Sequence, residues 1–256
     1  FSEVPCYPFE SDEALYRSIV EADRALVVGA MEYVPDGQVA EVRRSSTVHP
    51  WTIVNQGGGK WRLCHDYSVG TNRVVATAPF TLPSVWDVLP SIKRGSSFAK
   101  YDIRDGFWHC PVARESRKRL VVRHPGTGRL MWASRLPFGY LDSPRLFCGL
   151  TEAVVSRARA KVAGLDIQFY VFVDDVLCVG ATDELTRLAM SVLEAEFEER
   201  GIQWAPHKKR GPCRCIEFLG LVLANTDEGR GVTVTRKRLG RLLSEIEEWA
   251  EKEPSE

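Results

Sequence analysis

The sequence has no apolar run near the roughly 20 residues that a membrane-crossing helix needs. Its start, Phe1 to Glu10, lacks the basic stretch and apolar core of a secretory leader. Neither a membrane partner nor an export signal is therefore expected. There is no excess of either charge: 34 Lys and Arg balance 34 Asp and Glu, which excludes an acidic solvating tail and a histone-like polycation. No C-x-x-C pair occurs. The seven cysteines are odd in number, and Cys213 and Cys215 have no second pair to complete a zinc set. Reduced thiols are the expectation, and with them an intracellular chain, cytoplasmic or nuclear. Internal repeats and low-complexity tracts are missing too. The first residue is Phe rather than Met, so the chain is expected to be a piece of something longer.

What is present suits a folded protein. At 256 residues, 44% of them hydrophobic, the chain can bury one large core or two small ones. Ser11 to Val28 reads as a helix capped by Ser11 and stopped by Gly29, with Leu15, Ile19 and Val20 inward. From Tyr33 to Asn55 the pattern is short and broken, and Gly57-Gly58-Gly59 marks a turn between strands. Pro79 and Pro83 bracket an extended connector. Leu120–Val122 and Leu130–Trp132 flank a Pro-Gly-Thr-Gly turn and read as a hairpin, while Ser143-Pro144 reads as an N-cap with proline in the first turn. Asp183 opens a helix that Gly201 closes, Ile216–Leu223 and Val232–Val234 form a further hairpin, and Arg236–Trp249 is a basic helix. Strands and helices alternate without a regular βα rhythm, which predicts an α+β fold with antiparallel sheet.

The most informative segment is Phe169 to Val179, two apolar runs interrupted by Asp174-Asp175. Adjacent carboxylates between segments that want burial need either water or a cation. An Asp-Asp turn projecting into solvent satisfies the first condition. A divalent metal held by hard carboxylate oxygens satisfies the second. Asp102 ends its own short strand, between Tyr101 and Phe107. Carboxylates from separate strands that converge on two ions are what metal-assisted phosphoryl chemistry requires.

Six blocks in order resemble the reverse transcriptases of retrotransposons and retroviruses, between about Val48 and Leu223. Trp61-Arg62-Leu63-Cys64-His65-Asp66-Tyr67 with Asn72 resembles the fingers block, and Tyr101-Asp102-Ile103-Arg104-Asp105-Gly106-Phe107 the first palm motif. Leu136-Pro137-Phe138-Gly139 with Ser143-Pro144 and Phe147 resembles the template and nucleotide motif, and Phe172-Val173-Asp174-Asp175 the [YF]-x-D-D box. Gly201-Ile202 with Pro206-His207-Lys208 and then Phe218-Leu219-Gly220 resemble the last two blocks, the second being the primer grip.

The resemblance implies a right-hand polymerase of fingers and palm, with an antiparallel palm sheet backed by helices. The implied fingers are 1–95 with 111–142, and the palm is 96–110 with 143–230. Residues 231–256 begin a connection to a thumb. The implied activity is RNA-directed DNA polymerisation by a retroelement polyprotein module: dNTPs are added to a primer 3′-hydroxyl on an RNA or DNA template, with two Mg²⁺ ions for which Mn²⁺ can substitute. The rest of the polyprotein (thumb, connection, RNase H) is an implied partner.

Asp102, Asp174 and Asp175 become the metal carboxylates, with Asp175 the more peripheral of them. Arg62, Lys60, the backbone of Asp105 and Gly106, and Phe138 become nucleotide contacts. Phe107 becomes a ring that excludes a 2′-hydroxyl, and Lys208 a proton donor to pyrophosphate. The loop Val54–Gly59 lacks the lysines the family carries there, leaving Lys60 alone. The basic clusters Arg114–Arg119, Lys208–Arg214 and Arg236–Arg241 supply a groove for a polyanion on a neutral molecule. A silent reverse-transcriptase-like scaffold that binds nucleic acid or protein is the alternative, and an RNA polymerase or nucleotide cyclase with the same palm is the third reading.

Overall fold

The computed structural model describes residues 7–57, 59, 61–226 and 229–251. The chain begins with α1 (Asp12–Val27), β1 (Met31–Tyr33), α2 (Asp36–Ser45), β2 (Val48–His49), β3 (Trp51–Asn55) and β4 (Trp61–His65). It continues through α3 (Val85–Val88), β5 (Ser97–Asp102), β6 (Val121–Arg123), β7 (Leu130–Ala133), α4 (Ser143–Lys161), β8 (Ile167–Phe172) and β9 (Asp175–Gly180). Then come α5 (Asp183–Glu199), β10 (Arg210–Cys213), β11 (Cys215–Phe218), β12 (Leu221–Thr226), β13 (Gly229–Val234) and α6 (Arg236–Glu251). These elements make two compact units, one of residues 1–80 and 105–150, the other of residues 81–104 and 151–256. Among the described residues no helix is long and apolar enough to cross a membrane.

The first unit holds a four-stranded sheet in the order β1-β7-β6-β2 and the separate hairpin β3–β4. The hairpin β6–β7 forms where the Pro-Gly-Thr-Gly turn predicts it. One pair, β2 with β6, is parallel, so the antiparallel expectation fails at that edge. Val34, Val42, Val48, Val121, Leu130 and Trp132 form a core cluster. The structure corrects α1 in detail. Ser11 does cap it, accepting from the Ala14 amide at 3.1 Å, but the buried stripe is Ala14, Ser18, Ala22 and Ala25. Leu15 and Ile19 are only half-buried and Val20 is exposed, because small residues let the helix backbone approach its neighbours. Helix α4 begins at Ser143 itself, so Ser143 stands inside the first turn rather than at the N-cap, and its hydroxyl donates to the Pro137 carbonyl at 2.8 Å.

The second unit holds the antiparallel sheet β10-β5-β9-β8 and the meander β11-β12-β13. Alternation along a strand separates the two faces of the larger sheet. Ala99, Tyr101, Val176 and Cys178 point one way, toward α5, whose Ala189, Leu193 and Phe197 are buried. Phe98, Leu177 and Val179 point the other way and join Val88, Ile92, Ile216, Phe218 and Leu223 in one cluster. That face leads, at its end, to the acidic residues.

Candidate active site

β5 and β9 pair with Asp102 directly opposite Asp175. The last residue of one strand thus faces the first of the next, on the face that carries Phe98 and Leu177. Phe172 pairs with Asp175 in the β8–β9 hairpin, so Val173 and Asp174 alone make the turn. Val173 takes φ 54° there, a conformation that costs a β-branched residue energy. The turn is tied down by the Ile103 amide, which donates to the Asp174 carbonyl at 2.7 Å. Three non-glycine residues have left-handed backbone among those described, Asp105, Val173 and Leu219, and each lies in a block singled out in the sequence.

Like charges directly across a sheet destabilise it by roughly 0.2–1 kcal/mol, and here they are offset. Lys208 Nζ lies 2.7 Å from Asp102 Oδ2, and Lys100 Nζ lies 3.0 Å from Asp175 Oδ2. Burial pushes the Asp175 carboxyl above the usual range; Lys100 opposes that rise, and the charges of Asp174 and Asp102 add to it. Lys208 is delivered by a loop that docks on β5, where the Ala205 amide donates to the Asp102 carbonyl at 2.9 Å. The neighbouring Lys209 pairs with Glu194. Two of the three basic residues in the run 208–210, Lys208 and Lys209, thus pair with carboxylates of the same unit, while Lys208 and Arg210 stay exposed.

Among the described residues no group of three or more His, Cys, Asp or Glu side chains converges into a cage for an ion. Mg²⁺ does not need one: it is commonly held by one or two carboxylates together with waters and substrate phosphates. Hard oxygens, clustered so closely that two ammonium groups sit among them, fit a divalent cation of that kind. In the same unit Phe218 is buried in the cluster under the sheet. The residues after it, Leu219 (φ 53°) and Gly220 (φ 72°), turn β11 into β12.

The first unit gathers the other residues. Arg62 lies over the Phe138 ring at 5.2 Å, and Phe138 and Phe107 have centroids 5.1 Å apart. Phe107 also meets Phe147 edge-on at 5.7 Å. Gly106 allows this packing, because a β-carbon there would come within 2.6 Å of the Phe147 ring. Asp105 pairs through Oδ2 with Arg24 at 2.5 Å, and Arg24 also covers Trp108. Gly139, at φ 91°, is pressed so closely on the fingers block that a β-carbon would overlap the His65 carbonyl oxygen. Asn72 then clamps the same loop from two sides. Its Nδ2 donates to the Gly139 carbonyl at 2.9 Å, and its Oδ1 accepts from the Leu141 amide at 3.0 Å. Lys60 lies outside the described residues.

Sequence reasoning assigned no role to Lys100, Arg24 or the Asn72 clamp. For Lys100 a signal did exist: it stands two residues before Asp102, on the same strand face. Glu196 is fully buried among Lys161 (2.5 Å), Arg200 (2.8 Å) and Arg157 (3.3 Å). Those cations hold its carboxyl below the usual range, with the Lys161 hydrogen bond the largest cause.

Residues 54–223 match the family profile described as reverse transcriptase (RNA-dependent DNA polymerase). The enzymatic polyprotein of Cauliflower mosaic virus (strain Strasbourg) is 26% identical over 265 residues, covering 96% of this chain and 36% of the polyprotein. The Pro-Pol polyprotein of Simian foamy virus type 1 is 29% identical over 198 residues, 77% of this chain and 16% of the polyprotein. The chain therefore spans well under two thirds of either relative. Among solved structures, a foamy viral protease-reverse transcriptase in complex with double-stranded DNA superposes with TM-score 0.72 at 21% identity, over 94% of this chain and 38% of the other. The foamy viral protease-reverse transcriptase in complex with an RNA/DNA hybrid gives 0.70 at 20% identity, over 94% and 29%. The fold is thus that of a reverse transcriptase, α+β with antiparallel sheets.

Proposed function

Because the chain belongs to the reverse transcriptase (RNA-dependent DNA polymerase) family, we propose that it extends a primer 3′-hydroxyl with deoxynucleotides on an RNA or DNA template, as a module of a retroelement polyprotein. The observation that carries this reading is the Asp102–Asp175 register, with Asp174 in the adjoining two-residue turn. Reverse transcriptases use divalent metal ions. In this chain Asp102 and Asp174 would hold two Mg²⁺ ions, or Mn²⁺ in their place, with Asp175 beside them. When bound, such ions make the primer hydroxyl a better nucleophile and neutralise charge on the triphosphate and leaving pyrophosphate.

The chain's own residues do the rest. Arg62 presents a planar guanidinium suited to triphosphate oxygens, and it lies over the Phe138 ring. Phe107, wedged between Phe138 and Phe147, is a rigid wall against a 2′-hydroxyl. The backbone of Asp105 and Gly106 follows the same phosphates. Lys208 supplies a proton to the pyrophosphate once it leaves Asp102. Phe218, Leu219 and Gly220 hold the primer end. We assign the palm to 96–110 and 143–230, the fingers to 1–95 and 111–142, and 231–256 to the connection. Support for the palm comes from β5, β8, β9 and β10, which form one sheet.

Asp174→Asn is the direct test, since it keeps size and removes charge. Extension of a primed RNA template with Mg²⁺ or Mn²⁺ should fall at least about a thousandfold, as expected when a group acting on the transition state is lost, with the thermal melting midpoint unchanged. Wild-type extension rates in this variant, or no extension by the unmodified chain on either template, would sink the reading.

A further inference from the structure

Two lysines answer the three carboxylates, and they are built differently. Lys208 arrives on a loop and is 45% exposed. Lys100 belongs to β5 itself, and both it and Asp175 are about four-fifths buried, with side-chain exposures of 21% and 22%. Lys100 stands opposite Leu177, so Asp175 is its diagonal cross-strand neighbour. That separation is within reach of a long side chain. The pair is therefore fixed by strand register, whereas the Lys208 contact depends on where a loop lies. Asp174, in its turn, is exposed.

We propose that Lys100 is a positioning residue that reserves Asp175: the ion pair keeps this carboxylate in the sheet and leaves Asp102 and Asp174 as the two carboxylates available to divalent cations. The proposal deepens the polymerase reading and rests on it for the reaction, though not for the ion pair.

An opposed pair of effects follows when Lys100 is removed. Asp175 is released as an additional oxygen ligand and a nearby positive charge is lost, so the free protein binds cations more tightly. Turnover meanwhile falls, because a third ligand now competes for ions that Asp102 and Asp174 must hold in reactive positions. A lysine that merely stabilised the sheet would, when removed, weaken both properties together.

The experiment measures Mn²⁺ binding to the full chain by electron paramagnetic resonance of free Mn²⁺, without nucleotide, and separately kcat and KM for dNTP in primer extension. For Lys100→Met the Mn²⁺ dissociation constant is expected to fall at least threefold and kcat at least tenfold, with KM for dNTP within twofold. Lys100→Arg should return Mn²⁺ affinity to within twofold of wild type. The double variant Lys100→Met, Asp175→Asn should lose the tightened binding. Lys100→Gln serves if the Met variant melts early. Unchanged or weaker Mn²⁺ binding in folded Lys100→Met or Lys100→Gln overturns the proposal. Absence of extension by the wild type sinks the polymerase reading alone, since the Mn²⁺ measurement stands without it.

Discussion

His65 is a basic side chain kept neutral by its surroundings. It is buried, stacked on Trp51 with centroids 5.9 Å apart and close to Tyr67 at 5.7 Å. Burial pushes its pKa down to about 4, a shift that the Phe138 backbone opposes and His49 assists. An unfolded chain titrates this group near 6.5. Between those values the unfolded state binds the extra proton, so stability is complete above about pH 6.5 and is lost as pH falls toward 4. From pH 7 to pH 5 the loss from this one group is about 2 kcal/mol. His65→Phe preserves a flat ring without the titration. Urea unfolding of the variant should show a correspondingly smaller drop between pH 7 and pH 5, and an equal drop in both proteins would show that His65 is not the source. The carbonyl of the same residue lies so close to Gly139 that a β-carbon there would overlap it, so the block Trp61–Tyr67 has a packing duty alongside any contact made by Arg62. The sequence shows the motif but not this duty, since proximity of residues 65 and 139 is a property of the fold.

The loop that carries Phe138 is tied down by Asn72 through two hydrogen bonds. Hydrogen bonds of this kind contribute about 0.5–1.5 kcal/mol each, so Asn72→Ala should destabilise the chain by about 1–3 kcal/mol. The local signature is sharper: amide hydrogen exchange at Leu141 should accelerate at least tenfold, and unchanged exchange there would remove the clamp from the account. Legibility in the sequence divides along physical lines at this scale. A β8–β9 turn was one of two readings of the apolar runs flanking Asp174-Asp175, and it falls one residue earlier, at Val173-Asp174; α5 was legible because apolar residues recur at helical spacing between Asp183 and Gly201. Helix α2 was not, because in Asp36–Ser45 only Val42 is buried and the composition gives no apolar period. The inner face of α1 was misread because its stripe is built of alanine and serine, which hydrophobicity does not rank highly. The burial of Glu196 is not legible locally, because Arg157 and Lys161, two of its cations, lie on another helix. Of the candidate site, the carboxylates and Phe107 are proposed from the order and spacing of the motifs that resemble the family's. Lys100 and Asn72 act through partners that only the tertiary fold brings to them.

Net charge and chain order describe the whole molecule. Zero net charge gives it no long-range pull on a polyanion, so binding of nucleic acid depends on how cations are placed rather than on their sum. The chain crosses between its two compact units at 80/81, 104/105 and 150/151. The first unit is therefore made of two separate stretches, 1–80 and 105–150, joined by sheet pairing: β1 with β7 and β2 with β6. Residues 74–84 carry no regular structure, and Val74 is 83% exposed. Exposed segments of this kind are where proteases first cut. Trypsin should cleave after Arg73, an exposed residue at the edge of that segment, before it reaches the paired arginines inside the sheets. The two fragments should separate on a denaturing gel yet elute together on gel filtration, because β1 and β2 stay paired with strands on the other fragment and their core valines remain buried. Dissociation of residues 1–73 after the first cut would mean that the first unit is not held by its own sheet, and the interleaved chain order would lose its structural meaning.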